Sequence, residues 1–231
     1  MKVNGYKIEP FADLFNANLS NTNLTDSDLA EASLWGANLK NTVLIRAILR
    51  QTILRNADLS NADLSRASLI NAQMSKADLS GANLTESDLS GADLKNATLQ
   101  GANLSGAQLT SANLFEANLS QTKLLGAILA YANLSNANLD MANLQKANLR
   151  SANLNRAKLT DTNFCNSTLL FTNLSGANLS GANLTGAFLY QTNLSGANLT
   201  GAFLYQTNLS EANLTGANLT RVTTPDGTIH P

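Results

Sequence analysis

One histidine, one cysteine and three prolines among 231 residues leave little for reaction chemistry to use. The histidine, His230, stands next to the last residue, so a Ser-His-Asp or Cys-His arrangement lacks a base held within a fold. A lone cysteine, Cys165, excludes an intramolecular disulfide and has no evident group to activate its thiol. Basic and acidic residues number 15 and 16, a net charge of -1, which removes any bulk electrostatic case for binding nucleic acid or an anionic membrane. No apolar run approaches the roughly 20 residues of a membrane-spanning helix. The start, from Met1 to Tyr6, has no apolar core segment of a leader. These absences lead us to expect a soluble, cytoplasmic, non-enzymatic protein without cofactor or metal. Asp58, Asp63 and Asp78 do not alter that reading: Arg55, Arg66 and Lys76 are interleaved with them, which describes a self-neutralised face rather than a cation site. Gly81, Gly91 and Gly101 recur with the period of the chain and make no phosphate-binding loop.

What the chain has is leucine at every fifth position, from Leu14 to Leu219. Only Met74 and Phe164 interrupt the series. Two residues before each of these centres stands Ala, Thr or Ser, and the residue between is usually Asn or Asp, as in Ala82-Asn83-Leu84. Leucines five apart would spiral around an α-helix turning about 100° per residue, and would alternate between the faces of a flat strand. Within one unit, however, the small residue and the leucine share a side, with Asn or Asp on the other. Two polar residues or glycines follow, as in Ser80-Gly81, and turn a corner. Repetition closes this into a wound coil with Leu and Ala inside and polar groups outside. The aromatic content, 5%, suits an interior too narrow for large rings. The period alone leaves the number of sides open.

Units such as Ala177-Asn178-Leu179-Ser180-Gly181 and Ala62-Asp63-Leu64-Ser65-Arg66 resemble those of the pentapeptide-repeat family. That resemblance implies an all-β fold, a right-handed, four-sided parallel β-helix with about twenty residues per coil and strands about 4.8 Å apart. The expected organisation is an N-terminal cap at residues 1–11, the β-helix at 12–221 in about ten coils, and a C-terminal cap tail at 222–231. Open coil ends expose strand edges and leucines. Tyr6, Ile8 and Phe11 are the residues expected over the first coil. At the other end Val222 and Thr224 break the pattern, and Pro225-Asp226-Gly227 reads as a turn that folds Ile229 back across the opening. The tail resembles the endings of cyanobacterial members. It differs from the C-terminal dimerisation helix of the quinolone-resistance members, since no helical pattern follows Leu219.

With the interior consumed, activity falls to outward residues. Side chains twenty apart stack on successive coils if the coil has four sides. Phe15, Trp35 and Arg55 then form one column, suited to ring stacking and a cation–π contact. Asp26, Arg46, Arg66 and Glu86 form another, a surface charge ladder. Val43, Ile45, Ile48 and Ile53 make an apolar band, read as stacking between adjacent coils. The most unusual surface lies later. No charged residue occurs between Asp161 and Glu211, and residues 178–192 recur unchanged as 193–207. Each copy carries an outward Phe and Tyr, Phe188 with Tyr190 and Phe203 with Tyr205. A shift of fifteen residues places the two pairs on neighbouring sides of one corner, joined by Leu170 and Phe171. An uncharged aromatic surface is a candidate partner site.

The function expected from these features is that of a non-catalytic interaction rod, monomeric or weakly self-associating, which presents surface columns to an unidentified protein partner; the family resemblance implies a regulatory role. The alternative is a nucleic-acid mimic that engages a type II topoisomerase (gyrase), as the quinolone-resistance members do. Mimicry needs a strongly negative rod. Residues 1–160 carry 13 acids and 14 bases, and residues 161–231 carry 3 acids and 1 base, so neither part supplies that field.

Overall fold

The computed structural model describes residues 1–230, so Pro231, the last residue of the expected tail, lies outside the described residues. Backbone bridges join each residue before a centre to the residue twenty later, from Asp13 with Ser33 to Phe203 with Thr223, all parallel. A spacing of twenty in units of five means four sides. The molecule is a right-handed, four-sided parallel β-helix. Face 1 carries the centres in register with Leu14, face 2 those with Leu19, face 3 those with Leu24 and face 4 those with Leu29. Each side holds only a single bridge residue, so continuous strands occur nowhere along the coils.

The unit around Leu84 shows how five residues satisfy their own backbone. The Asn83 N–H donates down to the Ala62 carbonyl (2.9 Å), and the Leu84 and Glu86 N–H groups donate up to Asn103 (2.7 Å) and Ser105 (3.0 Å). The Ser87 N–H closes the corner onto the Leu84 carbonyl at 3.1 Å. That leaves the Thr85 N–H, which points along the surface and donates to the Asn83 side-chain oxygen at 3.2 Å. The recurrent Asn or Asp is therefore a backbone partner as well as a surface group, because an unpaired N–H is costly wherever water has poor access.

Each corner is a type II turn whose third residue must take positive φ. From Asn16 through Arg221 every residue in that slot does so, with Glu86 at 57° and Gly91 at 68° as examples. The slot holds Gly, Asn, Lys, Arg, Glu, even Tyr131 and Met141, but never Val, Ile, Thr or Pro. Branching at Cβ makes the left-handed region prohibitive, and the proline ring forbids it. The same β-branched residues occur freely one and three positions earlier in the unit, as at Thr85 and Val43.

Inside, the centres from Leu14 to Leu204 are fully buried, with Met74 and Phe164 accommodated among them. Each leucine contributes roughly 1.5–3 kcal/mol from burial. Thr in the small-residue slot returns its hydroxyl to the wall: Thr42 Oγ1 donates to the Leu19 carbonyl at 2.7 Å and Thr192 Oγ1 to Leu169 at 2.6 Å. Among the described buried side-chain polar atoms, only the hydroxyls of Ser27 and Ser167 find no partner.

The two ends differ. At the front, β1 (Lys2–Val3) and β2 (Tyr6–Lys7) form an antiparallel hairpin. It sets Val3 and Tyr6 against the core and buries Ile8. Phe11 departs from expectation: it occupies a corner slot with φ 61°, which turns its ring outward, 71% exposed. At the back, Val222 fills the small-residue slot and is buried. Thr224 and Gly227 close the turn, and Ile229 pairs antiparallel with Thr223. Yet Ile229 remains 72% exposed. The hairpin stands on face 3 alone, so it does not lid the coil, and Leu209, Leu214 and Leu219 are left half-buried.

Candidate functional site

The first aromatic column is partly as expected. Phe15 and Trp35 stack with ring centres 5.0 Å apart and planes 5° from parallel, since residues twenty apart project from adjacent rungs in the same direction. Arg55 follows in the column, but among the described residues it makes no cation–π contact with Trp35. The charge ladder is present: Arg46 grips both carboxylate oxygens of Asp26 at 2.7 and 2.6 Å, and Arg66 bonds Glu86 at 2.8 Å. The Arg46 guanidinium beside it holds the Asp26 carboxyl below its usual range. Val43, Ile45, Ile48 and Ile53 are half-buried against neighbouring rungs.

The later surface divides in two. Along the corner after face 4, Arg150 places its guanidinium 5.2 Å from the centre of the Phe171 ring. Phe171 in turn meets Tyr190 edge to face, with centres 5.8 Å apart and planes at 85°. Partial burial raises the Tyr190 phenol above its ordinary value, helped by the nearby Glu211 carboxylate. Glu211 also accepts from the Gln191 amide. Arg150, Phe171 and Tyr190 thus form one chain of contacts over three successive coils, with Leu170 half-buried beside it.

Phe188, Phe203 and Tyr205 lie apart from that chain. Phe188 projects from the middle of face 4 and Phe203 from the middle of face 3, each in the slot that usually holds Asn or Asp, and Tyr205 follows Phe203. They are 51%, 49% and 44% exposed. None makes a ring–ring or cation–π contact among the described residues. Gly227 of the tail hairpin passes so near Tyr205 that a Cβ there would come within 3.5 Å of the ring. Cys165, on face 3 one coil below Thr185, is partly buried, and burial pushes its thiol up.

Sequence reasoning overlooked three further exposed apolar residues, Leu125, Tyr131 and Met141. Tyr131 stands in the corner column of Phe171, two coils earlier. The signal was available: a large apolar residue in either of the two slots after a centre has no interior to enter. Among the described residues, no group of acidic, histidine or cysteine side chains is placed to hold a metal ion. No described helix is long and apolar enough to cross a membrane.

The model of the pentapeptide repeats matches the chain in 8 copies that together run over residues 11–223. Among solved structures, HetL from the cyanobacterium Nostoc sp. strain PCC 7120, a pentapeptide repeat protein involved in heterocyst differentiation regulation, is similar at 36% identity. The match covers 96% of this chain and 92% of HetL, with a TM-score of 0.50. QnrB1, a plasmid-mediated fluoroquinolone resistance protein, is similar at 22% identity over 80% of this chain and 89% of its own, with a TM-score of 0.45. A pentapeptide repeat protein of the Arabidopsis thaliana thylakoid lumen is 34% identical over 48% of this chain and 64% of its own, at a TM-score of 0.22. No curated protein sequence matches the chain.

Proposed function

The chain belongs to the pentapeptide repeat family, and from that premise we propose that it is a non-catalytic interaction protein, a rigid rod that presents its later surface on faces 3 and 4 to a protein partner. One observation carries the reading. Phe188, Phe203 and Tyr205 stand half-exposed, without a ring or cation partner among the described residues, in a stretch with no charged residue between Asp161 and Glu211. Exposed rings on a surface without repelling charge are the composition of an interface core rather than of a solvated face. The packed interior supports the reading by elimination, since leucines and alanines occupy it throughout. HetL is described as involved in regulation, and a regulatory role for this chain is the natural extension.

The test is capture from native cell extract with the wild type and with the double variant Phe188→Ser, Phe203→Ser. Loss of a specific captured protein in the double variant is expected. Identical capture by both forms would remove this surface from the function.

A topoisomerase-directed reading has less support. A duplex mimic must carry a dense negative field, and this rod is near neutral along its length. Unchanged gyrase supercoiling at micromolar protein is the expected outcome.

A further inference from the structure

Two outward rings elsewhere on this rod receive a cation from the coil beneath them. Lys95 Nζ stands 5.1 Å from the centre of the Phe115 ring, as Arg150 does over Phe171 at 5.2 Å. Phe188, Phe203 and Tyr205 have no such partner, because neither Lys nor Arg occurs between Lys158 and Arg221.

Acidic groups border the same surface. Glu211 lies one coil above Gln191 on the face 4 side. Asp226 stands in the hairpin above Gln206 at the corner between faces 3 and 4, where Thr224 and Thr228 donate to its carboxylate. Those bonds hold Asp226 at about 2, so it is charged throughout the physiological range. Residues 161–231 carry three acids and one base, a net of 1 − 3 = -2. The face of an aromatic ring is itself negative. Bare rings, bordering carboxylates and a missing internal cation together complement a positive group.

We propose that this surface docks an arginine- or lysine-bearing segment of a partner protein, with the cation seated over the ring of Phe188, Phe203 or Tyr205 and drawn by Asp226. The inference rests on the interaction surface described above and adds its chemistry. Arginine suits it better than lysine, since the planar guanidinium stacks on a ring and is more weakly hydrated. The same field disfavours an acidic segment.

The experiment uses fluorescence anisotropy with three labelled octapeptides, alternating glycine with arginine, with serine or with glutamate. Binding of the arginine peptide alone is expected. The double variant Phe188→Leu, Phe203→Leu keeps apolar bulk while removing the rings, and should weaken that binding by about tenfold. Asp226→Asn should weaken it by about threefold, whereas Phe115→Leu, remote from the site, should leave it unchanged. Circular dichroism verifies that each variant is folded. Equal affinity for the arginine and serine peptides, or an unaltered arginine affinity in the leucine double variant, would overturn the proposal.

Extract capture separates this failure from that of the broader reading. If the leucine double variant keeps a partner that the serine double variant loses, the surface binds through apolar area and the cation inference alone falls. If the serine variant keeps it too, both fall.

Discussion

Arg150 and Phe171, one coil apart, form a cation–π pair at 5.2 Å that also anchors the ring against Tyr190. This relationship marks where the aromatic surface stops being available. Phe171 and Tyr190 already have partners, and the uncommitted rings begin at Phe188. Arg150→Gln is expected to cost about 0.5–1 kcal/mol, the range for exposed cation–π pairs. In a background of Phe171→Leu the same change should cost close to nothing. Urea titrations of the two single variants and the double variant measure the difference, and an additive result would deny the pairing.

Leu119 and Asn118 separate the inside of the wall from the outside. Leu119 is fully buried, and Leu119→Ala should cost about 2–5 kcal/mol through the cavity it leaves. Asn118 accepts from the Ser120 N–H at 3.1 Å. Asn118→Ser should cost under about 1 kcal/mol, because the exposed end of that N–H can turn to water. Equal shifts in denaturant midpoint would contradict the assignment of sides.

Corner residues give a backbone prediction independent of packing. Gln121 has φ 59°. Gln121→Val should destabilise by about 1–2 kcal/mol, as a branched side chain meets the carbonyl in the left-handed region. Gln121→Gly should stay within about 1 kcal/mol of wild type, since relief of strain offsets the greater freedom of the unfolded chain. Thermal unfolding of the pair reads the contrast, and similar losses would point to the side chain instead of φ.

The hydroxyl of Ser167 is buried without a hydrogen-bond partner. Ser167→Ala removes that unsatisfied group and installs the commonest residue of the slot, so stability should rise by up to about 1 kcal/mol. Thr192→Val, which deletes a bonded hydroxyl, should lower stability by about 1 kcal/mol. The two midpoints should therefore move in opposite directions.

Acid should open the tail hairpin before the coils. Asp226 is lowered from 3.8 to about 2 by the Thr224 and Thr228 bonds. A depressed carboxyl contributes stability that is complete above its unfolded value and fades as pH falls from about 4 through about 2. The Thr228 amide resonance, followed by NMR, should shift in that window in the wild type. Asp226→Asn should abolish the transition, and a midpoint near 4 in the wild type would show that the bonds do not persist in solution.

Much of the fold is legible in the spacing of Leu, Ala and Asn, because each rung is local and repeats the one below. The ends are less so. Phe11 looked apolar enough to cover the first coil, yet its place in the corner slot sends the ring outward. Ile229 looked like a lid, but the hairpin that carries it follows the edge of one face. Of the candidate surface, the neighbourhood of the two aromatic pairs followed from the fifteen-residue duplication. Its division into a committed chain and three bare rings did not, because side-chain direction within a column determines which ring meets which.

The sequence by itself determined the five-residue unit, the inward leucines and the exclusion of β-branched residues from the corners, since all three follow from sterics and burial inside a few consecutive residues. Only the tertiary structure decided that the Asn83 side chain closes the backbone account of Thr85, that Arg150 is spent on Phe171, and that Phe188, Phe203 and Tyr205 are left open. Those outcomes depend on distances between coils and on rotamers, which no one-dimensional period encodes.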